Sequence, residues 1–210
     1  MAWDEICLTQ ANALPHPLLR FYEWATPATT FGYFQNYESV AKQAHGTPLI
    51  RRPTGGGIVP HINDWTYSLV FPPSAPWYQY RASESYQQLH EWIQKAFLQV
   101  NLSTQLNPCT IAEGPGSCFI GAEQNDLMLD GIKLAGAAQR RNRQGFLIQG
   151  SIQPPPPSIS RNSWETAFLT VASDEWGIEW VKWEPESELK RQAESLAQSK
   201  YSNPDHIRKR

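Results

Sequence analysis

Three groups of residues in this chain have types and spacing that could do chemistry. The first is Arg51-Arg52-Pro53-Thr54-Gly55-Gly56-Gly57, followed by His61. Glycines lose the most conformational freedom on ordering, so a run of three demands a packing reason or a ligand. Without side chains, their backbone N–H groups can approach a carboxylate, phosphate or thioester oxygen, and the two arginines add fixed positive charge. No Gly-Lys-Ser/Thr follows, so this is not a P-loop, and the GxGxxG dinucleotide spacing is absent. The plainer alternative is a flexible hairpin tip. The second group is Cys118 with Lys133. Cys118 follows Gly114-Pro115-Gly116-Ser117, which can present a thiol on a loop, and Lys133 lies between Gly131-Ile132 and Leu134-Ala135-Gly136-Ala137-Ala138. A lysine among small and apolar residues is costly unless paired or used. A nearby ammonium would raise a cysteine's thiolate fraction at neutral pH. The alternative is an inert cysteine and a lysine that snorkels to water. The third group is looser: His61 as a base or a hydrogen-bonded surface residue, and Asn125-Asp126 as a turn or a ligand contact.

The elements that must position these groups are readable from periodicity. Residues 2–13 read as a helix ended by Pro15-His16-Pro17. Two strand-like runs follow, Leu18–Trp24 and Thr29–Gln35, and Asn36 is placed to cap a short helix from Tyr37 to Ala44. Arg51 to Asp64, rich in Gly and Pro, reads as loop throughout. Trp65–Phe71 alternates like a strand. Over 83–100, Leu89, Trp92, Ile93, Ala96, Phe97 and Val100 form a helical stripe, with Ser83 as its cap. A strand at Thr104–Cys109, a loop at Glu113–Ser117, a hairpin turning at Asp130-Gly131 and a strand at Phe146–Ile152 come next. After a stiff Pro154–Pro157 connector, helices are expected around Trp164–Trp176 and Glu186–Gln198, then a solvated basic tail, Ile207-Arg208-Lys209-Arg210. Helices packed on a strand-rich middle indicate an α+β sandwich.

Composition sets outer bounds. The chain has 210 residues, enough for one domain with a real core. It is 40% hydrophobic with nine Trp and only 18% charged, which excludes a disordered chain. A net charge of −2 provides no overall field for nucleic acid or anionic membrane. Three cysteines without a CxxC pair exclude a disulfide framework and a zinc ribbon, and no metal site is expected. Cys7 and Cys109 sit in apolar patterns and read as core, leaving Cys118. With no apolar run of 18 residues and acids in the first ten, a cytoplasmic protein is the expectation.

Taken in order, these pieces resemble the lipoate–protein ligase A and octanoyltransferase family, the biotin/lipoate-ligase-like, class II synthetase-like α+β fold. The matching runs are Leu19-Arg20-Phe21-Tyr22-Glu23-Trp24, Phe31-Gly32-Tyr33-Phe34-Gln35, the Arg51–Gly57 run with His61, and Thr66-Tyr67-Ser68. They continue with Cys118-Phe119, Asp130–Gln139, Gln149-Gly150-Ser151-Ile152 and a closing Tyr201-Ser202. The resemblance covers nearly the whole chain. It implies a mixed sheet flanked by helices in a single catalytic domain, residues 1–210, without an accessory C-terminal ligase domain.

It also implies attachment of an octanoyl or lipoyl group to a lysine on a carrier domain. Lys133 matches the family's lysine and would hold the acyl carbonyl; Arg51, Arg52, Thr54, Gly55, Gly56, Gly57, His61, Asn125, Asp126, Gly136, Gln149 and Gly150 would bind substrate. Two mechanisms share this scaffold. A transferase takes octanoyl from acyl carrier protein onto a cysteine and passes it to a lipoyl domain or a glycine cleavage H-type protein, with no cofactor. A ligase uses ATP and Mg to make an acyl-adenylate first. Cys118-Phe119 upstream of Lys133, and the modest length, favour the transferase with Cys118 and Lys133 catalytic. Asn125-Asp126 resembles the ligases, where that pair helps bind nucleotide and metal. Gln149 stands where many relatives carry histidine, and Ile58-Val59-Pro60 is an unusual continuation of the glycine run. A split ligase, an amidotransferase and a non-catalytic acyl or lipoyl binder are the remaining alternatives.

Overall fold

Every pair of neighbouring strands in the large sheet is antiparallel. A computed structural model describes residues 1–44, 46–109 and 121–209. Six strands lie in the order β1-β5-β9-β8-β7-β6: β1 Leu18–Tyr22, β5 Trp65–Phe71, β9 Gly145–Ile152, β8 Ile132–Asn142, β7 Leu127–Leu129 and β6 Gln105–Leu106. Asp130 and Gly131 both have positive φ, as a two-residue hairpin requires, and they join β7 to β8. A second, three-stranded sheet runs β3-β2-β4, from β2 Ala28–Phe31, β3 Leu49–Arg51 and β4 Val59–His61. Among the described residues, parallel pairing is confined to β2 and β3. The segment from Arg51 to Asp64 is therefore not loop throughout. Its ends pair with β2, and the glycine run is the connection between β3 and β4.

Strand alternation gives the large sheet two different faces. On one, Trp65, Tyr67, Leu69 and Phe71 meet Phe146, Ile148 and Ile152 and are covered by α4 (Ala82–Gln99) and α5 (Arg161–Trp176). Trp92 stacks on Phe168 with ring centroids 3.8 Å apart, and its indole N–H donates to the Phe168 carbonyl at 2.7 Å. On the other face α1 (Ala2–Thr9) packs Cys7 and Leu8 on Val70 and Leu147. Farther along that face, Arg20, Ser68 and Gln149 replace apolar residues, and all three meet Asp4 of α1. Phe31, Val40 and Ile58 make the core of the small sheet.

The local expectations hold where short-range chemistry decides. Asn36 caps α2 (Tyr37–Ala41), accepting the Ser39 N–H at 3.0 Å, and Gly177 ends α5 in the left-handed region. α4 begins one residue before Ser83: Glu84 accepts the Arg81 backbone N–H at 2.7 Å, a stronger charged contact than a serine offers. The expected strand at Thr104–Cys109 shrinks to Gln105–Leu106, because Asn107 turns its amide onto the Ala122 and Glu123 carbonyls. Cys109 is exposed, not core; Cys7 is buried, and burial raises its pKa to about 11, an inert thiol. A short helix, α3 (Pro76–Gln79), precedes α4, and α6 (Ser187–Leu196) runs into a wider turn at Ala197–Tyr201. The basic tail is not simply solvated, since α7 (Pro204–Arg208) places Ile207 on the small-sheet core. Among the described residues, no helix is long and apolar enough to cross a membrane.

Candidate active site

Lys133 is the second residue of β8, paired with Met128 of β7, and is 8% exposed. Its ammonium meets Asp126 Oδ2 at 2.6 Å, and Asp126 is fully buried. A buried charge persists only when paired and hydrogen-bonded. Asp126 satisfies that condition from three sides: the Glu123 backbone N–H donates to Oδ2 at 2.6 Å, the Tyr86 hydroxyl donates to Oδ1, and Lys133 supplies the charge. Gly136 makes the fit possible. A Cβ there would lie 2.8 Å from Lys133 Cε, 3.1 Å from Nζ and 3.3 Å from Asp126 Oδ1. Asn125, at φ 68°, makes the turn that delivers Asp126, as asparagine tolerates.

The glycine run is folded tightly rather than left as a hairpin tip. Gly32 packs so closely beneath it that a Cβ would sit 2.0 Å from the Gly56 carbonyl oxygen. Gly56 itself has φ +85°. The Thr54 carbonyl accepts the Tyr33 N–H at 2.8 Å, and Arg140 donates to the Pro53 carbonyl at 3.1 Å. The buried Arg52 donates to the carbonyls of Gly55 (3.0 Å) and Gly57 (2.7 Å). In a trans peptide the following N–H points the opposite way, so those of Gly56 and Ile58 face away from Arg52.

Two hydrogen-bond chains tie this connection to the sheets. In one, Arg52 donates to Thr30 Oγ1 at 2.7 Å, Thr30 lies 2.9 Å from His61 Nε2, and His61 Nδ1 lies 2.8 Å from Asp64. Because the Asp64 carboxylate can only accept, His61 carries its proton on Nδ1, and Nε2 of the neutral ring accepts from Thr30. Asp64 also accepts from Thr66 (2.8 Å) and Ser151 (2.6 Å). Burial is the main influence on His61 and lowers its pKa despite Asp64. His61 is thus buried, stacked on Trp24 at 4.3 Å, and not a surface residue. In the other chain, Thr54 donates to Gln149 Oε1 at 2.8 Å, and Gln149 Nε2 donates to Asp4 at 2.6 Å. Gly150, next to Gln149, receives the ring of Tyr67; a Cβ would lie 2.1 Å from its hydroxyl.

This arrangement of lysine, glycine connection and antiparallel sheet matches a known family. Residues 1–153 match the sequence profile described as the lipoyl protein ligase A/B catalytic domain. The chain belongs to that family. Curated relatives of this lipoyl ligase A/B family chain include Octanoyltransferase LipM of an Exiguobacterium strain, 35% identical over 188 residues, covering 83% of this chain and 66% of that protein. Octanoyltransferase LipM of Geobacillus kaustophilus is 34% identical, covering 72% and 59%. The chain therefore spans about three-fifths to two-thirds of these relatives' length. Among solved structures, lipoate-protein ligase A bound with ATP superposes with a TM-score of 0.78 at 20% identity, covering 99% of this chain and 92% of that one. The bi-partite lipoate protein ligase of Thermoplasma acidophilum gives 0.72 at 19%, covering 99% and 89%. These likenesses establish the lipoate-ligase fold.

Within this family chain, two of the expected ligands, Arg51 and Asp126, are engaged by other parts of the protein. Arg51 turns away from the glycines: its guanidinium donates to the carbonyls of Tyr33 (2.9 Å), Gln35 (2.8 Å) and Ile207 (2.9 Å), clamping α7 to the small sheet. Asp126 does not fit the role of a metal ligand, because its oxygens are buried and engaged by Tyr86, Glu123 and Lys133. Among the described residues, no three His, Cys, Asp or Glu cluster as a metal site. Cys118 and Phe119 lie outside the described residues. Sequence reading missed Asp4, Asp64 and Tyr86, whose partners are distant in the chain; an acid on the buried side of an amphipathic helix was the one available signal for Asp4.

Proposed function

We propose that this chain moves an octanoyl group from an acyl-carrier-protein thioester, through a thioester on Cys118, to a lysine of a lipoyl domain. No ATP is consumed. The relatives named Octanoyltransferase LipM, 30–35% identical, support this reading. The observation that carries it over the ligase reading is the engagement of Asp126. The carboxylate that the ligase reading assigns to nucleotide and metal is instead buried around Lys133, where it holds a cation beside the β7–β8 hairpin. Thioester exchange needs an activated thiolate and a stabilised oxyanion, not an adenylate.

In the first half-reaction the Cys118 thiolate adds to the thioester carbonyl, and the Lys133 ammonium stabilises the resulting oxyanion. Collapse breaks the bond to the carrier's sulfur, which leaves as thiolate and takes up a proton. In the second half, the acceptor lysine's amine adds to the Cys118 thioester, loses its proton and expels Cys118. The Thr54–Gln149 and Arg52–Thr30 contacts hold the glycine connection in one shape.

Intact mass of the purified chain after mixing with octanoyl-carrier protein, without ATP, tests this directly. An adduct of octanoyl mass is expected, absent in Cys118→Ala and passed on to an added lipoyl domain. Transfer that survives Cys118→Ala but requires ATP would establish the ligase instead.

A further inference from the structure

We propose that Tyr86, on α4, is a positioning residue that sets the location of the Lys133 ammonium by orienting Asp126. This rests on Lys133 acting on the acyl carbonyl, as proposed above. β7 pairs with β8 only as far as Ala135. Among the described residues, Ala137, two residues farther along β8, has no strand partner on that side. Its N–H donates instead to the Tyr86 hydroxyl at 3.3 Å. A backbone N–H can only donate, so the phenol oxygen accepts there and turns its own proton to Asp126 Oδ1. The series is directional: Ala137 N–H to Tyr86, Tyr86 O–H to Asp126, and Asp126 paired with Lys133 at 2.6 Å.

The side chain that does this is itself fixed. His90, one helical turn on, donates from Nδ1 to the Tyr86 carbonyl at 2.9 Å and packs its ring 4.3 Å from the phenol. Because His90 is fully buried, the phenol has a wall on one side and β8 on the other. Burial, reinforced by Asp126, keeps the Tyr86 hydroxyl protonated far into the alkaline range, so it remains a donor. Tyr86 thereby couples the long core helix to the strand that bears the lysine. Asp126 Oδ2 has two donors, and the Tyr86 bond to Oδ1 restrains the other oxygen, so that both ends of the carboxylate are held against rotation. An ammonium that follows a rotating carboxylate is misplaced, and sub-ångström placement governs rates at such sites.

Tyr86→Phe removes one oxygen and keeps the ring. Two readouts on the purified chain test the role. Reductive methylation of amines, followed by peptide mass, should label Lys133 several-fold faster in Tyr86→Phe than in the wild type. Single-turnover acylation by octanoyl-carrier protein should slow about tenfold, with the donor concentration for half-saturation unchanged. The Tyr86→Phe/Asp126→Asn double variant should acylate no more slowly than Asp126→Asn alone, because Tyr86 acts through Asp126. Equal labelling rates, an unslowed acylation or multiplying losses would each overturn the role of Tyr86. Lys133→Ala with wild-type acylation would instead remove the reading of Lys133 on which it rests.

Discussion

Gln149 turns its amide nitrogen to the buried carboxylate of Asp4, 2.6 Å away, and its carbonyl to Thr54 in the glycine connection, 2.8 Å away. A carboxylate can only accept, so Asp4 decides which way round the amide stands, and hence that Gln149 accepts from Thr54. Asp4 also takes Arg20 at 2.6 Å and Ser68 at 2.7 Å. Asp4→Asn leaves Arg20 without its counter-charge and lets the Gln149 amide reverse. The expected cost is about 1–3 kcal/mol, since Arg20 is partly exposed and can rehydrate. Urea unfolding measures it, and a midpoint equal to the wild type would refute this role for Asp4.

Gly136→Ala should cost both activity and stability. The new methyl would meet the end of Lys133, 2.8 Å from Cε, and Asp126 Oδ1 at 3.3 Å. The lysine can swing aside only by leaving Asp126, whose buried charge then loses its cation. Acyl transfer should fall roughly tenfold to hundredfold, and stability should drop by up to about 3–5 kcal/mol. Urea unfolding and a transfer assay measure the two, and wild-type values of both would refute this role for Gly136.

Much of the site was readable because its residue types are rare in their surroundings. A lysine among alanines, a triple glycine and a turn at Asp130-Gly131 each carry their own local reason. The bounds of β5 and β9 and the cap at Asn36 were likewise local. What could not be read are relationships between distant positions. Tyr86 sits 40 residues from Asp126, and Asp4 sits 145 residues from Gln149. On a helix each resembles any other half-hidden polar residue until the sheet brings its partner to it. The clamp that Arg51 makes was hidden for the same reason, because its carbonyl partners at His206 and Ile207 lie in a tail whose composition suggested solvent.

Arg51→Lys tests that clamp. A guanidinium reaches carbonyls on two elements at once in a fixed fork, and a lysine cannot replace this geometry. Stability should drop by about 1–3 kcal/mol, and the amides of α7 should exchange with solvent much faster. The donor concentration for half-maximal transfer should not change. A selective weakening of donor binding with α7 still protected would return Arg51 to the substrate site.

Tyr67 carries a hydroxyl that is buried against Gly150 with no hydrogen-bond partner among the described residues. An unsatisfied buried hydroxyl costs about 1–3 kcal/mol relative to water. Tyr67→Phe keeps the ring that fills the space over Gly150, so it should stabilise the chain or leave it unchanged. Gly150→Ala, which drives a methyl to 2.1 Å from the same ring, should destabilise it strongly. Thermal unfolding of both variants distinguishes this from a hydroxyl that serves a ligand, for which Tyr67→Phe would lower transfer without raising stability.

Acid sensitivity should come in two stages, and His90 sets the first. Burial lowers its pKa from 6.5 to about 4. In the unfolded chain the ring takes up a proton near its ordinary value; in the folded chain it resists until much lower pH. The unfolded state therefore binds more protons across that window, and stability falls as pH drops from about 6.5 towards 4, by about 3 kcal/mol. Below it, the carboxyls of Asp4, Glu5 and Asp64 take over. Burial acts against their charge, but Arg20 on Asp4, Lys200 on Glu5 and His61 on Asp64 hold each below its usual range. Their stabilisation is present above pH about 4 and is lost as pH falls through the lowered values. His90→Phe should flatten the first stage and leave the second intact. Urea midpoints at pH 7, 5 and 3.5 for both proteins decide it, and an undiminished loss between pH 7 and 5 in His90→Phe would assign that stage to His61, whose pKa is also lowered by burial.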